Sequence, residues 1–394
     1  MFINVRKQAL LGLCLMAASS LTLTARAENY TPVSGTATSF DKYLIIDKDA
    51  NVPAASFSFS ITSGEAMAAT ENSMEVLAGV GTPVLSGAAV FTAGETAYSE
   101  VQSGDSLQLA ANEKYAFKTI GIDFSSVSFD EPGIYRYVIT ETPLQEAGAF
   151  VQDTQPKYLD VYVTDNDGNL EVSSYVLHTS AAAPLRNASG GSEDVAEALA
   201  AVSDKTTGFI NRYQTKDLTI TKQVAGNQAS KDKYFQYTLK IANAGTGTKL
   251  IADVTSHAEA APLNNAATVY TSEAMAQANN VTELTCDADG SIEHVFYLKH
   301  NQSVTIRQLP LGATYELSEV KEDYVSADLN QLNAEEYAAN TGTIQDSALT
   351  IGFRNTRNGV IPTGIITTVA PYFILVSLAA IGMFISGRKR MIHR

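Results

Sequence analysis

The chain has 394 residues, 45% of them hydrophobic, and a formal net charge of −15. Seven of its 27 Lys and Arg residues lie in two end segments that contain no acidic residue. The part between them therefore carries 20 basic against 42 acidic residues, a formal charge of −22. Such a surface repels nucleic acid and anionic lipid, which argues against nucleic-acid binding, and it suits a soluble extracellular protein.

The first 27 residues have the features of a signal peptide. Arg6 and Lys7 form a basic start, and a largely apolar stretch runs from Ala9 to Leu23. Ala25-Arg-Ala27 is a small-x-small cleavage site, which predicts that the exported chain begins at Glu28.

Most of the following chain predicts β-strands separated by turns. Segments rich in β-branched and aromatic residues, most of them alternating with period two, are typical of strands. They are Phe57–Ile61, Tyr135–Ile139, Tyr158–Val163, Leu218–Thr221, Tyr234–Leu239 and Val304–Ile306. Turn sequences such as Glu131-Pro-Gly133 separate them, so an all-β fold of β-sandwich domains is predicted. Residues 193–202 and 331–339 are predicted to be helical or loop-like.

A series of three sequence motifs occurs twice along the chain, in the same order. A lysine is followed by a Tyr-x-x-x-Glu segment and then by Gly-Phe-x-Asn. The two sets are Lys42, Tyr137–Glu141 and Gly208–Asn211, then Lys222, Tyr315–Glu319 and Gly352–Asn355. The Lys-to-Glu intervals are 99 and 97 residues. This repetition predicts two tandem domains of one design between two processed ends: 1–27 signal peptide, 28–213 first domain, 214–359 second domain, and 360–394 C-terminal segment.

Strand alternation places the Lys, Glu and Asn of each repeat on apolar faces, whereas Arg136 is predicted to point away from that face. A lone buried Lys or Glu is costly and rarely occurs without a partner. For a single lysine, a buried ion pair or a side chain that reaches the sandwich edge is the simpler interpretation. The complete trio, found twice in the same order, favours a chemical role instead.

The chemistry available to such a trio is amide formation. Burial disfavours charge, so it makes the lysine a neutral, nucleophilic amine and keeps the glutamate protonated. A neutral glutamate can polarise the asparagine carbonyl and relay a proton to departing ammonia. The exported chain retains only Cys286 and can form no intramolecular disulfide. The trios therefore predict Lys–Asn cross-links, each made once without turnover.

The C-terminal segment contains a sorting-like motif before an apolar run. Val360-Ile-Pro-Thr-Gly364 precedes 21 uncharged, largely apolar residues, Ile365 to Ile385, and a basic tail with Arg388, Lys389, Arg390 and Arg394. The run is long enough to cross a bilayer as a helix, with the basic tail in the cytoplasm. An ordinary membrane anchor is the alternative interpretation.

Pro362-Thr363-Gly364 resembles the sortase sorting signal of Gram-positive surface proteins, which implies cleavage between Thr363 and Gly364. No residue separates Pro362 from Thr363, which points to a pilus-specific sortase.

Four segments resemble the backbone (major) pilins of Gram-positive sortase-assembled pili, most closely the two-domain shaft pilin of the T-antigen type. They are Phe40–Leu44, Asp130–Glu141, Leu218–Gly226 and Leu309–Tyr315. The resemblance implies two tandem immunoglobulin-like β-sandwich domains with self-generated isopeptide bonds. By position, Lys42 and Asn211 are joined with Glu141 as catalyst, and Lys222 and Asn355 with Glu319 as catalyst.

The same resemblance implies a structural shaft subunit at the cell wall of a Gram-positive bacterium. A pilus-specific sortase joins Thr363 to a lysine of the next identical subunit. The match for this lysine is Lys205, with Lys157 as runner-up; the alternative is that Lys205 is simply one more solvated lysine. Further implied partners are tip and base pilins, peptidoglycan and a host surface ligand. A monomeric cell-wall-anchored adhesin of the same domain type is the alternative function.

A turnover enzyme is not predicted. The sequence shows no Ser-His-Asp spacing, no Gly-rich phosphate loop and no Cys/His metal cluster. Asp165–Asn169 and Asp287–Gly290 lack the glycine and glutamate positions of a calcium loop, so hairpin turns are expected there. No cofactor and no metal are therefore expected.

Overall fold

The computed structural model describes residues 30–144, 148–186, 204–256, 281–360 and 364–392. The predicted signal peptide, the predicted helical segment 193–202, Pro362 and Thr363 lie outside these ranges. The described part is mostly strand, which confirms the all-β prediction.

The described residues up to Tyr213 are called the N-terminal module. Its strands are β1 (Val33–Ser34), β2 (Ala37–Asp47), β3 (Ala55–Phe57), β4 (Phe59–Ser63), β5 (Leu77–Ala78), β6 (Val84–Leu85), β7 (Ala89–Phe91), β8 (Glu113–Asp123), β9 (Ser128–Phe129), β10 (Gly133–Glu141), β11 (Phe150–Val151), β12 (Lys157–Asn166), β13 (Asn169–His178) and β14 (Gly208–Tyr213). One five-stranded sheet has the order β13-β12-β10-β4, with β5 beside β10, and the other has the order β11-β14-β2-β8-β6. Strands β1 and β9, and β3 and β7, form two small pairs.

The described residues from Thr215 to Val360 are called the C-terminal module. Its elements are β15 (Thr215–Ala225), β16 (Phe235–Ala242), β17 (Lys249–Ser256), β18 (Val281–Thr285), β19 (Ile292–Leu298), β20 (Gln302–Pro310), β21 (Thr314–Glu319), β22 (Val325–Asp328), helix α1 (Leu329–Leu332), β23 (Thr341–Thr343) and β24 (Leu349–Thr356). A six-stranded sheet, β18-β17-β20-β15-β24-β22, faces a four-stranded sheet, β19-β16-β21-β23.

Each module buries one apolar core between its two large sheets. In the N-terminal module, Leu44 and Ile120 come from one sheet and Ile139 and Val161 from the other. The C-terminal core is likewise built from both of its sheets. Alternating strands that bury one face against a second sheet are the basis of a β-sandwich, and the fold is immunoglobulin-like and all-β. The domain boundary near Tyr213 stays a prediction.

The first and last long strands of each module are parallel neighbours, and their register is the same in both modules. Strand β14 pairs with β2 so that Phe209 lies opposite Lys42. Strand β24 pairs with β15 so that Phe353 lies opposite Lys222. The asparagine two residues after each phenylalanine then projects from the same face as that phenylalanine.

Arg136 lies on the outer face of its sheet, as predicted, yet only 2% of its surface is exposed. Its Nε and Nη2 donate to the Asp160 carboxylate at 2.7 and 2.8 Å. Its guanidinium also donates to the carbonyl oxygens of Ala181 and Ala182. The segment after β13 therefore covers the outer face, which strand alternation alone does not reveal.

The two modules contact each other through polar and apolar groups. Gln308 donates from Nε2 to the carbonyl oxygen of Asp49 and accepts at Oε1 from both Asn51 nitrogens at 3.1 and 3.2 Å. Thr215 donates to Asp47 at 3.0 Å. Leu311 of the C-terminal module packs against the N-terminal core. These contacts connect the two sandwiches near the point where β14 leads into β15.

The C-terminal helix, α2, comprises Gly364–Ile392. Within the part of the chain that the structure describes, no helix combines the length and apolarity needed to cross a membrane. The span predicted for Ile365 to Ile385 is thus not shown by the structure.

Candidate functional site

One glycine in each module lets the first and last long strands, which are neighbours in the sheet, approach closely. A Cβ added to Gly208 would lie 1.7 Å from the carbonyl oxygen of Asp41. In the C-terminal module, a Cβ on Gly352 would lie 2.0 Å from the carbonyl oxygen of Thr221, and the φ angle of Gly352 is +153°. No side chain fits at either position. The glycine of each Gly-Phe-x-Asn motif therefore permits the strand contact that brings Asn and Lys together.

The structure brings Lys42, Glu141 and Asn211 together between the two sheets of the N-terminal module. Lys42 Nζ donates to Glu141 Oε2 at 2.5 Å, and Asn211 Nδ2 donates to Glu141 Oε1 at 2.6 Å. Lys42 and Asn211 are fully buried, and the Glu141 side chain is 2% exposed. One carboxyl group therefore contacts both the amine and the amide nitrogen.

The asparagine carbonyl is oriented differently from the sequence prediction. We expected the glutamate to hydrogen-bond this oxygen, but Asn211 Oδ1 accepts from the backbone N–H of Asp153 at 2.7 Å. A backbone N–H can only donate, so it must face the oxygen of the amide and not its nitrogen. Polarisation of the carbonyl therefore comes from Asp153, and Glu141 faces the nitrogen that would leave.

The C-terminal module repeats this arrangement in part. Lys222 donates to Glu319, and both side chains are buried. The second carboxylate oxygen of Glu319 accepts from Ser326 at 3.0 Å. Asn355 is fully buried, yet in the described structure neither its Nδ2 nor its Oδ1 has a hydrogen-bond partner. An unpaired buried amide costs about 1–3 kcal/mol, so this asparagine stands out among buried polar groups.

Aromatic rings enclose both lysine amines. Lys42 Nζ lies 4.7 Å from the centre of the Phe57 ring, and Lys222 Nζ lies 4.1 Å from that of Phe235. Burial lowers the pKa of Lys42 to about 8, although the neighbouring Glu141 carboxylate acts in the opposite direction. Burial likewise lowers the pKa of Lys222 to about 8, against the effect of Glu319. Both amines are therefore far easier to deprotonate than an exposed lysine.

The lowered pKa gives a test in the Asn211→Ala variant, which keeps Lys42 and Glu141 but lacks the side-chain amide that Lys42 would attack. With Lys222 consumed in its own cross-link, NMR titration of ¹³C-labelled lysine should show one amine, that of Lys42, with a pKa near 8 instead of 10.5. The folded-state pKa is the lower one, so between these values the unfolded chain binds the additional proton. The unfolding free energy should therefore rise with pH in this window, by up to about 1.4 kcal/mol per pH unit.

The matched control is Lys42→Met/Asn211→Ala, in which this signal and this pH dependence should be absent. A Lys42 amine that titrates with the exposed lysines would contradict the desolvation that the structure assigns to it.

The two candidate linking lysines differ sharply in exposure. Lys205 is exposed, in the segment that leads into β14. Lys157 is 5% exposed, with its Nζ 2.9 Å from Asp153 Oδ2 and 5.3 Å from the centre of the Phe209 ring. Burial and the ion pair disfavour Lys157 as the linking amine, and the choice between the two lysines stays a prediction. Of Pro362-Thr363-Gly364, the described residues include only Gly364, which begins α2.

Both aspartate-rich segments are turns, but only Asp165–Asn169 is the expected hairpin, since it joins the paired strands β12 and β13. Asp287–Gly290 joins β18 and β19, which lie in different sheets, so the hairpin expected there was wrong. Asp165 Oδ1 accepts from the backbone N–H of Gly168 at 2.7 Å, and Asp289 accepts from Ser291. In the described residues, no group of three or more His, Cys, Asp or Glu side chains is arranged to hold a metal ion.

Sequence reasoning missed several residues around the trios. The enclosing rings could have been found, because Phe57-Ser-Phe59 and Phe235-Gln-Tyr237 occupy equivalent places in the repeat. Asp153 gave no signal, since it lies in a loop and contributes a backbone group. Ser326 lies opposite Asn355 across β22 and β24, a pairing that the sequence does not indicate.

Sequence and structural relatives agree with one another. Residues 40–214 match the family model described as "Spy0128-like isopeptide containing domain", and residues 216–357 match a domain of unknown function. A curated relative, "Pilin" of Streptococcus pyogenes serotype M1, is 26% identical over 288 residues, which is 69% of this chain and 72% of the relative.

Solved structures show the same fold. The crystal structure of the major pilin from Streptococcus pyogenes has a TM-score of 0.50 and 18% identity, and the match covers 83% of this chain and 100% of that one. A variant of that pilin gives a TM-score of 0.50 and 18% identity, with coverage of 82% and 100%. The resemblance to major pilins inferred from the sequence is confirmed.

Proposed function

Because the chain carries a Spy0128-like isopeptide containing domain and has a major-pilin fold, we propose that it is the shaft subunit of a covalent cell-surface pilus. Each module is closed by a self-generated Lys–Asn isopeptide bond. The observation that carries this proposal is the Glu141 carboxyl group, which contacts both the amine of Lys42 and the amide nitrogen of Asn211 inside an apolar core. A stabilising ion pair needs no asparagine at this point, whereas amide formation does.

The proposed reaction balances without a cofactor. The unprotonated Nζ of Lys42 attacks Cγ of Asn211, the Nζ–Cγ bond forms and the Cγ–Nδ2 bond breaks. The proton that Nζ loses passes through Glu141 to Nδ2, which departs as ammonia. An amine and a primary amide thus give a secondary amide and ammonia, once per molecule. The Lys222–Asn355 bond forms in the same way with Glu319.

The mechanical consequence follows from strand order. Strands β2 and β14 are parallel neighbours at the start and end of the N-terminal module, and β15 and β24 are their counterparts. A covalent bond between them carries tension directly from the entering strand to the leaving strand. Pulling on the ends of the chain then loads covalent bonds and does not unzip the sheets.

For polymerisation, we propose that a pilus-specific sortase cleaves between Thr363 and Gly364. It then joins the Thr363 carbonyl to Lys205 of the next identical subunit, head to tail. Exposure of Lys205 supports this assignment. From the sequence alone we propose export by the signal peptide, transient retention by the apolar C-terminal segment, and attachment to peptidoglycan. Tip and base pilins and a host surface ligand are the further proposed partners.

A monomeric cell-wall-anchored adhesin with the same modules remains the second candidate function. The truncated sorting motif, without a residue between Pro362 and Thr363, favours the shaft subunit. The curated relative is named "Pilin". The only chemistry proposed for the chain itself is the single-turnover closure of its modules.

Intact-mass measurement of the chain from Glu28 to Thr363 tests the bonds directly. We expect a mass lower than the calculated one by two ammonia molecules, one for each bond. Peptide mapping should find Lys42 joined to Asn211 and Lys222 joined to Asn355. The full calculated mass would overturn the isopeptide part of the proposal.

A further inference from the structure

Asp153 lies in the loop between β11 and β12, and several groups hold its carboxylate. Its Oδ2 is 2.9 Å from Lys157 Nζ and accepts from the backbone N–H of Ile210 at 3.3 Å. Its Oδ1 accepts from the backbone N–H of Gln155 at 3.2 Å. These contacts come from β12, from β14 and from the loop itself. They fix the position of Asp153 relative to the strand that carries Asn211.

The backbone N–H of Asp153 points at the reacting carbonyl. It lies 2.7 Å from Asn211 Oδ1, while Asn211 Nδ2 faces Glu141 at 2.6 Å. When an amine adds to Cγ, negative charge develops on this oxygen. A donor that already has the right position stabilises that charge without rearrangement, as in the oxyanion holes of acyl-transfer enzymes.

We propose that the Asp153 backbone N–H is the oxyanion donor for closure of the N-terminal module, and that the Lys157–Asp153 ion pair positions it. This inference rests on the proposed isopeptide function. It also gives Lys157 a role other than intersubunit linkage. A buried ion pair seldom stabilises a protein more than apolar residues of similar size would. The Lys157–Asp153 ion pair beside the reacting amide is explained instead by its effect on geometry, because it fixes the position of the Asp153 backbone N–H.

The C-terminal module lacks this donor. Neither side-chain atom of Asn355 has a hydrogen-bond partner in the described structure, and Ser326 contacts Glu319 instead. The carbonyl of Asn355 is therefore not polarised before reaction. We expect the Lys222–Asn355 bond to form at least about 10-fold more slowly than the Lys42–Asn211 bond, since removing one oxyanion donor costs about 10²–10³ in acyl-transfer enzymes.

A purely electrostatic role for this ion pair makes a different prediction. The charge of Asp153 raises the pKa of Lys42 and that of Lys157 lowers it, so the two effects oppose each other. Removing both charges together should then leave the rate of bond formation almost unchanged. The positioning role predicts a clear loss of rate, because the loop that carries the donor is no longer held.

The test follows bond formation during refolding. The chain from Glu28 to Thr363 is recovered unfolded from inclusion bodies, refolded by dilution, and quenched in acid at intervals. Intact mass counts the ammonia lost, and peptide mapping assigns each loss to one module. The Asp153→Ala/Lys157→Met variant leaves no unpaired buried lysine. Its conservative partner, Asp153→Asn/Lys157→Met, still accepts from the backbone N–H groups of Ile210 and Gln155.

We expect the Ala/Met variant to form the Lys42–Asn211 bond at least about 10-fold more slowly, since it loses the support of its oxyanion donor. The Lys222–Asn355 bond should form at the wild-type rate and serves as a control within the same molecule. The Asn/Met variant should recover most of the rate. When the rate of bond formation is measured against pH, the pH of half-maximal rate should be unchanged in the Ala/Met variant. The maximal rate at high pH should be lower.

An Ala/Met variant that closes the N-terminal module at the wild-type rate would overturn the proposal. Equal slowing of both bonds would also overturn it, since that result indicates a general folding defect. The same experiment separates this failure from failure of the proposed function. If the wild-type chain loses no ammonia in either module, the isopeptide bonds themselves do not form.

Discussion

Replacing Asn211 by Ala should remove the covalent closure of the N-terminal module and lower its melting temperature by about 10–20 °C. The bond would close a loop of 169 residues, for which chain entropy gives a stabilisation of about 5 kcal/mol. For a module of this size, each kcal/mol corresponds to about 2–4 °C. The deficit of the intact mass relative to the calculated mass should fall from two ammonia molecules to one. Calorimetry with intact mass on the same sample measures both quantities.

Glu141→Ala should give the same two results by a different route. The amine and the amide are still present, but the carboxyl group that contacts both of them is gone. A Glu141→Ala chain that still loses two ammonia molecules would remove Glu141 from its proposed role. In both variants the transition of the C-terminal module should be retained, because Lys222, Glu319 and Asn355 are untouched.

A matched pair in the C-terminal module separates the bond from the loss of a buried asparagine. Asn340 is 5% exposed and exchanges hydrogen bonds with the backbone of Gly352 at 3.0 and 3.3 Å. Asn340→Ala should destabilise the module by about 1–3 kcal/mol and leave the deficit of two ammonia molecules relative to the calculated mass unchanged. Asn355→Ala should restore one ammonia and cost about 5 kcal/mol, the value for its loop of 133 residues. Equal effects in the two variants would argue against a bond at Asn355.

Lys205→Arg should abolish polymerisation. In cells that carry the cognate sortase, the wild-type chain should give an SDS-resistant ladder on immunoblots of cell-wall extracts. The arginine variant keeps the positive charge but has no primary amine to attack the acyl-enzyme, because a guanidinium stays protonated. We therefore expect the ladder to collapse to a single band. Lys231→Arg, at another exposed lysine, is the control and should leave the ladder intact.

Other outcomes of this experiment decide between the remaining assignments. A ladder that persists in Lys205→Arg and disappears in Lys157→Arg would move the linkage to Lys157 in spite of its burial. A single band from the wild-type chain would favour the monomeric anchored adhesin. A Thr363→Ala variant that still forms a ladder would contradict the proposed cleavage site.

Much of the N-terminal site could be predicted because strand alternation is a local rule. Lys42, Glu141 and Asn211 each lie in phase with apolar neighbours, and all three are buried as that phase predicts. Arg136 shows the limit of the rule. Its predicted outward direction was right, but residues after β13 cover it and Asp160 pairs with it. Which segment covers the outer face of a sheet depends on loops far away in the chain, and period-two patterns carry no information about them.

The amino-acid sequence by itself determined the all-β fold, the repeated Lys, Glu and Asn, and the pilin resemblance, because residue type and spacing along a strand fix which side faces the core. Only the tertiary structure decided how these groups meet. It turned the carbonyl of Asn211 to the backbone of Asp153, buried Lys157 and left Lys205 exposed. The reason is physical: backbone donors are the same at every residue, so their aim at a reacting atom arises only when distant strands and loops pack together.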